Sequence, residues 1–348
     1  MSGRPGPLAL TSGDPGGVGP EVALRAALQA ALDASEAGGV IVYGDAGALA
    51  EQARGMGVGE ERLARVARGA ERTLAAGVVG LFDAGVAWTR EARRHAATGD
   101  GGRAQLAALD AAIEGALAGR VRAIVTAPMS KAAVNLGGHD FVGHTEHLAR
   151  AAGLSDDDVT MMFLGPRLNV ALATTHVAVA DLPREVTTAR VLRTIEHLGE
   201  ALLRLRPRGG ASKPLRIGVT GLNPHAGEGG LFGDEEIRAI EPAVRAASAR
   251  GPFADGRIKL TGPLGAETAL RFAASDELDG VVAMTHDQAT VASKLLDWTL
   301  AVNVTWGLPF VRTSVDHGVA YDAAAQGSAD ATGMCSALAM AQRLAPAR

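Results

Sequence analysis

Short apolar runs alternate along this chain with longer stretches in which Ala, Leu and Arg recur at helical spacing. The runs predict strands near 7–11, 39–43, 121–126, 168–175, 215–220 and 279–284. The periodic stretches predict helices near 20–34, 102–118, 144–153, 184–206, 234–250, 287–296 and 328–344. Strands alternating with helices of this length imply α/β layers around a largely parallel sheet. One stretch breaks the alternation. In "TMMFLGPRLNVALATT" two apolar runs meet at Gly165-Pro166-Arg167, which predicts a hairpin and therefore a mixed sheet. The segment 206–214, "RPRGGASKP", reads as the best exposed loop, and no repeat or low-complexity linker is present.

Polar residues gather where strands end, in "VTAPMSK", "THVAVAD", "VTGLNPHAGEGG" and "AMTHDQ". Open α/β sheets bind ligands beyond the carboxyl ends of their strands, so these segments read as one assembled site.

Composition narrows the field. With 348 residues and 47% hydrophobic content there is enough material for one or two domains. A net charge of −4 gives no case for nucleic acid or a membrane surface. No apolar run reaches the roughly 20 residues of a spanning helix. The first ten residues lack the apolar region of a signal peptide, so a soluble, cytoplasmic protein is expected. The single cysteine, Cys335, excludes an internal disulfide and a Cys-based zinc site. Of 34 basic residues only Lys131, Lys213, Lys259 and Lys294 are lysine. A lysine kept in so Arg-rich a chain suggests a role for an ammonium that can lose its proton.

The stretch "SGDPGGVGPE" follows the first strand and opens a helix, as a phosphate-binding turn does. Yet Gly17-x-Gly19 is followed by Pro20 and Glu21, so the third glycine of a dinucleotide fingerprint is missing. Glu21 in the first helical turn would also compete with a phosphate for the positive end of the helix. The glycines then mark a close backbone approach or a tight turn without a ligand.

Nine histidines sort by context. His95 and His197 lie in helical, Arg/Glu/Ala-rich surroundings and read as solvated. His147 carries no assigned role, and His139 lies in a loop. His176, His225 and His286 each follow an apolar strand. One histidine at a strand end is usually a hydrogen-bonded structural residue; three at equivalent places are compatible with a divalent ion having an open position. Their separations are no local spacing signature. In "GHTEHLARAAG", Thr145 reads either as a helix N-cap or, with His144, as a phosphate holder at the helix start. Lys294 follows His286 by two helical turns, and Asn303 and Arg312 add hydroxyl and anion binders.

The motifs "GDPGGVGPE", "VTAPMSKAAVN", "VGHTEHLA", "VALATTHVAVADLP", "GLNPHAGEGGLFGDEE", "GPLGAET", "MTHDQ" and "VNVTWGLPFVRTSVDHG" run in register over nearly the whole chain. Together they resemble the 4-hydroxythreonine-4-phosphate dehydrogenase family of pyridoxal phosphate biosynthesis. The resemblance implies an isocitrate/isopropylmalate dehydrogenase-like fold, with two α/β/α domains flanking a cleft and a mixed sheet. Residues 1–132 with 302–348 would form the first domain, and 133–301 the second, with the metal ligands and dimer contacts. It implies a homodimer with a shared active site, NAD or NADP as cofactor, and one divalent ion (Zn, Mg or Co) on His176, His225 and His286. His144, Thr145, Lys294, Asn303 and Arg312 match substrate contacts for a small phosphorylated hydroxy acid. Lys294 and Lys131 become proton-transfer candidates, and Asp287 a support for a ligand histidine. Asp14, Gly16, Gly17 and Glu21 become rim candidates for the cofactor, and His317, Gly318 and Asp322 fall in the adenosine loop.

The implied reaction oxidises 4-phosphohydroxy-L-threonine at C3 and then decarboxylates it. Related enzymes for D-erythronate or D-threonate phosphate, and an inactive phosphoanion-binding regulator, are the rivals. "RTSVDHG" sits closer to the hydroxythreonine enzymes. The chain departs from the family's usual pattern at Thr285, Ala289, 297–301 and Ala324-Ala325-Gln326-Gly327.

Overall fold

The computed structural model describes residues 6–33, 38–71, 74–206 and 213–345. The chain divides into two compact units, Met1–Asp156 with Leu308–Arg348, and Asp157–Gly307. Twelve strands carry the architecture: β1 (Leu8–Thr11), β2 (Val40–Gly44), β3 (Leu63–Val66), β4 (Val79–Asp83), β5 (Ala123–Thr126), β6 (Thr160–Leu164), β7 (Asn169–Leu172), β8 (Leu215–Thr220), β9 (Ile258–Leu264), β10 (Gly280–Ala283), β11 (Val302–Trp306) and β12 (Val311–Ser314).

In the first unit the strand order is β3-β4-β2-β1-β5-β12, and every pairing is parallel. All four residues of β1 are buried, as expected of a strand covered on both faces. The core behind it includes Ile41, Leu109, Ile113 and Ile124, and Tyr43 stacks on Phe82 with ring centroids 4.5 Å apart. Each such side chain contributes about 1.5–3 kcal/mol by leaving water. The helix Lys131–Leu136 packs on Gly99–Leu117 so closely that a Cβ on Gly102 would overlap the Ala133 carbonyl. The two contact units meet at Asp156/Asp157 and at Gly307/Leu308.

In the second unit the order is β11-β6-β7-β10-β8-β9. β11–β6 and β6–β7 are antiparallel, whereas β7–β10, β10–β8 and β8–β9 are parallel, so the sheet is mixed. The expected hairpin is β6–β7, with Met162 opposite Ala171. The buried Asp297 carboxylate clamps its turn, accepting from the Arg167 and Leu168 amides at 3.0 Å each.

Strands β3, β4, β9, β11 and β12 and the helices Ala46–Gly55, Lys131–Leu136, Ala266–Ala274 and Tyr321–Gln326 were not expected from the pattern. Of these, β3 and β9 sit at the outer ends of the strand order, where half-burial blurs the apolar signal, and β9 contains Pro263. Most of the anticipated loop at 206–214 lies outside the described residues. Among the described residues, no helix is long and apolar enough to cross a membrane.

Candidate active site

The second unit brings the three strand-end histidines to one edge. β7, β10 and β8 are adjacent and parallel, and His176, His286 and His225 follow their respective carboxyl ends. The rings of His176 and His286 stand 5.8 Å apart between centroids. Asp287 Oδ1 lies 2.8 Å from His286 Nδ1, which leaves Nε2 as the nitrogen available to a ligand. His286 begins the helix His286–Asp297, whose capping box is made by Thr285 and Gln288; the unusual Thr285 thus acts as its N-cap. His225 lies apart in an exposed turn. Among the described residues, no three His, Cys, Asp or Glu side chains stand close enough to hold an ion within one chain. The donor chemistry fits a divalent ion on imidazoles, with two of the three donors paired here. Lys294 reaches over the Trp298 ring, its Nζ 5.6 Å from the centroid. Asn303 on β11 keeps its Oδ1 buried without a hydrogen-bond partner.

The first unit gathers a buried arginine, a histidine with a buried ring nitrogen and an open helix start. Helix His144–Ala151 starts at Gly143, and no side chain caps it. Thr145 is therefore inside the first turn and is not the N-cap. His144 Nε2 is buried without a partner. Burial, followed by the charges of Arg312 and His147, pushes the His144 ring well below the ordinary imidazole pKa. Arg312, only 3% exposed, donates through Nε and Nη2 to the Thr126 hydroxyl at 3.1 and 2.7 Å. Burial lowers its pKa to about 10, partly offset by Glu146, so it stays cationic at neutral pH. A buried cation, an unpartnered ring nitrogen and an open helix start suit a phosphate dianion.

The Gly-rich loop follows β1, Ser130-Lys131 follows β5, and the 315–320 loop follows β12, three adjacent parallel strands. Asp14 is 1% exposed, a buried anchor and not a rim group. Its carboxylate accepts from the Gly16 amide at 2.9 Å, Gln105 Nε2 at 3.2 Å and the Tyr321 hydroxyl at 2.8 Å. Burial raises the Asp14 pKa against those hydrogen bonds, and burial first, then the Asp14 carboxylate, lifts Tyr321 to about 12. The bare backbone has a packing cause. A Cβ on Gly16 would overlap the Arg94 carbonyl, and one on Gly17 would come 2.6 Å from the Val319 oxygen. Lys131 is exposed at the start of its helix, where Ser130 is the N-cap. His317 and Gly318 are exposed on the 315–320 loop, and Asp322 is exposed in the first turn of the helix Tyr321–Gln326.

A cavity of about 250 Å³ opens beside these loops, lined by Gly17, Glu21, Trp88, His95 and Ala324 among others. Glu21 there pairs with Arg25 at 2.8 Å. Two histidine expectations change. His95 lies in a bend and not a helix, its Nδ1 2.9 Å from the Gly16 carbonyl. His197 is half-buried against the Thr160 hydroxyl at 2.8 Å, and burial lowers its pKa. Sequence reasoning also passed over Trp88, Gln105 and Tyr321. A chain with 3 Trp and 2 Tyr offered a signal in the scarcity of its aromatics.

An α/β chain that gathers polar side chains, two neighbouring imidazoles among them, beyond its strand ends has the layout of an α/β enzyme. Residues 36–341 match the family model "Pyridoxal phosphate biosynthetic protein PdxA", and the chain belongs to that family. It is 43% identical over 97% of its length to a 4-hydroxythreonine-4-phosphate dehydrogenase of Geobacter metallireducens, covering 95% of that protein. It is 37% identical over 97% of its length to a D-threonate 4-phosphate dehydrogenase of Salmonella typhimurium, covering 98% of it. A crystal structure of a 4-hydroxythreonine-4-phosphate dehydrogenase from Klebsiella pneumoniae superposes with a TM-score of 0.80 at 34% identity, over 98% of this chain and all of that one.

Proposed function

We propose that the protein oxidises 4-phosphohydroxy-L-threonine at C3 and that the resulting β-keto acid loses CO₂ to give 3-amino-2-oxopropyl phosphate, in pyridoxal phosphate biosynthesis. The buried Arg312, whose charge reaches the His144 ring with its unpartnered Nε2, carries this reading, because the two would supply a site for the substrate's phosphate. Arg312 neutralises one phosphate charge, while His144, Thr145 and the first-turn amides give directional donors. NAD or NADP supplies the hydride acceptor, and a divalent ion (Zn, Mg or Co) on His176, His225 and His286 supplies Lewis acidity at the reacting oxygen.

The C3–H bond breaks with its electron pair, and the hydroxyl proton leaves separately to a base. Lys294 and Lys131 are the candidates to take that proton at the C3 hydroxyl oxygen. Asp287 fixes the His286 ring through Nδ1, and Lys294 and Asn303 hold substrate oxygens. In the first unit Gly16, Gly17 and Glu21 shape the cofactor-side loop from within, with Asp14 beneath it, and His317, Gly318 and Asp322 present the adenosine loop. Exposed Leu231 and Phe232 follow the His225 turn, exposed Val291 and Leu295 lie on the helix that His286 begins, and exposed Trp298 follows it; such apolar exposure supports a homodimer that completes the ion's ligand set.

The 37% identity to a D-threonate 4-phosphate dehydrogenase favours a second reading, an enzyme for a sugar-acid phosphate. Initial rates with 4-phosphohydroxy-L-threonine, D-threonate 4-phosphate and D-erythronate 4-phosphate, each with NAD⁺ and NADP⁺, separate the two. Absence of turnover of the first overturns the proposal, and turnover of any removes a purely regulatory role.

A further inference from the structure

His225 opens a run of six residues that all have positive φ: His225 52°, Ala226 52°, Gly227 77°, Glu228 45°, Gly229 64° and Gly230 98°. A left-handed turn containing three non-glycine residues opposes the ordinary preference of L-amino acids, so the surroundings must impose it. One buried carboxylate sits at its base. Glu236, 2% exposed, accepts from the Leu222 and Asn223 amides at 2.8 Å each through Oε1, and from Asn223 Nδ2 at 2.9 Å through Oε2. Glu235 takes the same Asn223 amide at 2.7 Å. Both glutamates adjoin a π-helical turn, Glu236–Ile240, a local irregularity that often accompanies a functional site. Oε2 of Glu236 also lies 2.6 Å from where a Gly227 Cβ would stand, so the carboxylate backs the middle of the turn as well as its entry.

We infer that Glu236 is the positioning residue that holds the left-handed turn and thereby aims His225 at the divalent ion. The inference rests on the reading of His225 as an ion ligand. Glu236→Gln is the informative change, because it replaces one acceptor oxygen by an NH₂ facing the Asn223 side-chain amide, donor against donor.

The test titrates chelator-treated apoprotein with Co²⁺, following heat release and the visible absorption of the bound ion. His225→Ala is expected to lose most of the affinity, and if it binds Co²⁺ like the wild type, the ligand reading itself falls. Glu236→Gln is expected to bind about 10–100-fold more weakly with a shifted absorption band. Adding Ala226→Gly, which frees one left-handed position of its Cβ, is expected to recover part of that loss. Wild-type affinity and spectrum in Glu236→Gln, or no recovery in the double variant, overturns the inference. Should Glu236→Gln not fold, Gly229→Ala serves alone. Its φ is 64° and a Cβ there meets nothing within 4 Å, so it strains the turn without a clash. It is expected to weaken Co²⁺ several-fold, and unchanged binding overturns the inference.

Discussion

Arg312 donates its guanidinium to Thr126 from a site 3% exposed, where a lost positive charge has no solvent to replace it. Arg312→Met keeps the bulk and removes the charge-assisted bonds, each worth about 1.5–3 kcal/mol. KM for the phosphorylated substrate is expected to rise on the order of 10–100-fold with a smaller change in kcat, read from initial rates. His197 supplies a pH test of the fold. Its pKa is lowered in the folded chain, so as pH falls below about 6.5 the unfolded state takes up the proton first. Stability contributed by the neutral ring is present above that pH and is lost on acidification. The thermal midpoint is expected to fall between pH 7 and pH 5, less steeply in His197→Asn, as followed by circular dichroism. Residue types and motif order made the candidate ligands readable, but not burial. Asp14 reads as a loop-rim carboxylate until Tyr321, 307 positions away, is seen to donate to it.

The elements owe much of their geometry to single polar side chains. Asp297 ends the helix His286–Asp297 and at the same time clamps the β6–β7 turn. The unusual sequence at 297–301 thus places a buried acceptor where the hairpin needs one. Asp297→Ala leaves the buried Leu168 amide and the part-buried Arg167 amide without that acceptor and is expected to cost about 1–3 kcal/mol, measured by denaturant unfolding. Although the largely buried β4 and β12 were passed over, the ranges of β1, β2 and β5 were legible because two covered faces demand continuous apolar runs. β3 and β9 were not, because an outer strand needs only part of its surface to be apolar. A left-handed turn and a π-turn leave no periodic trace, so the scaffold of His225 was invisible to pattern reading.

Each unit sets its candidate chemistry behind three neighbouring parallel strands: β1, β5 and β12 in one, β7, β10 and β8 in the other. This regularity was legible as polar segments at strand ends; strand adjacency was not, because pairing joins segments distant in sequence. The proposed assembly has a direct check. Leu295 is 80% exposed on the helix that His286 begins, and Leu295→Glu is expected to halve the solution mass measured by light scattering while weakening Co²⁺ binding.

The close crossing of Gly17 and Val319 bears on motion. Val18 donates its amide to the Val319 carbonyl at 3.0 Å, with no side chain separating the two segments. Two loops stitched together in this way should open only as a pair. The Val18 amide is therefore expected to exchange its hydrogen for deuterium slowly, at a rate resembling that of strand amides. Replacing Tyr321 by Phe cuts the second stitch, to Asp14, and should quicken that exchange.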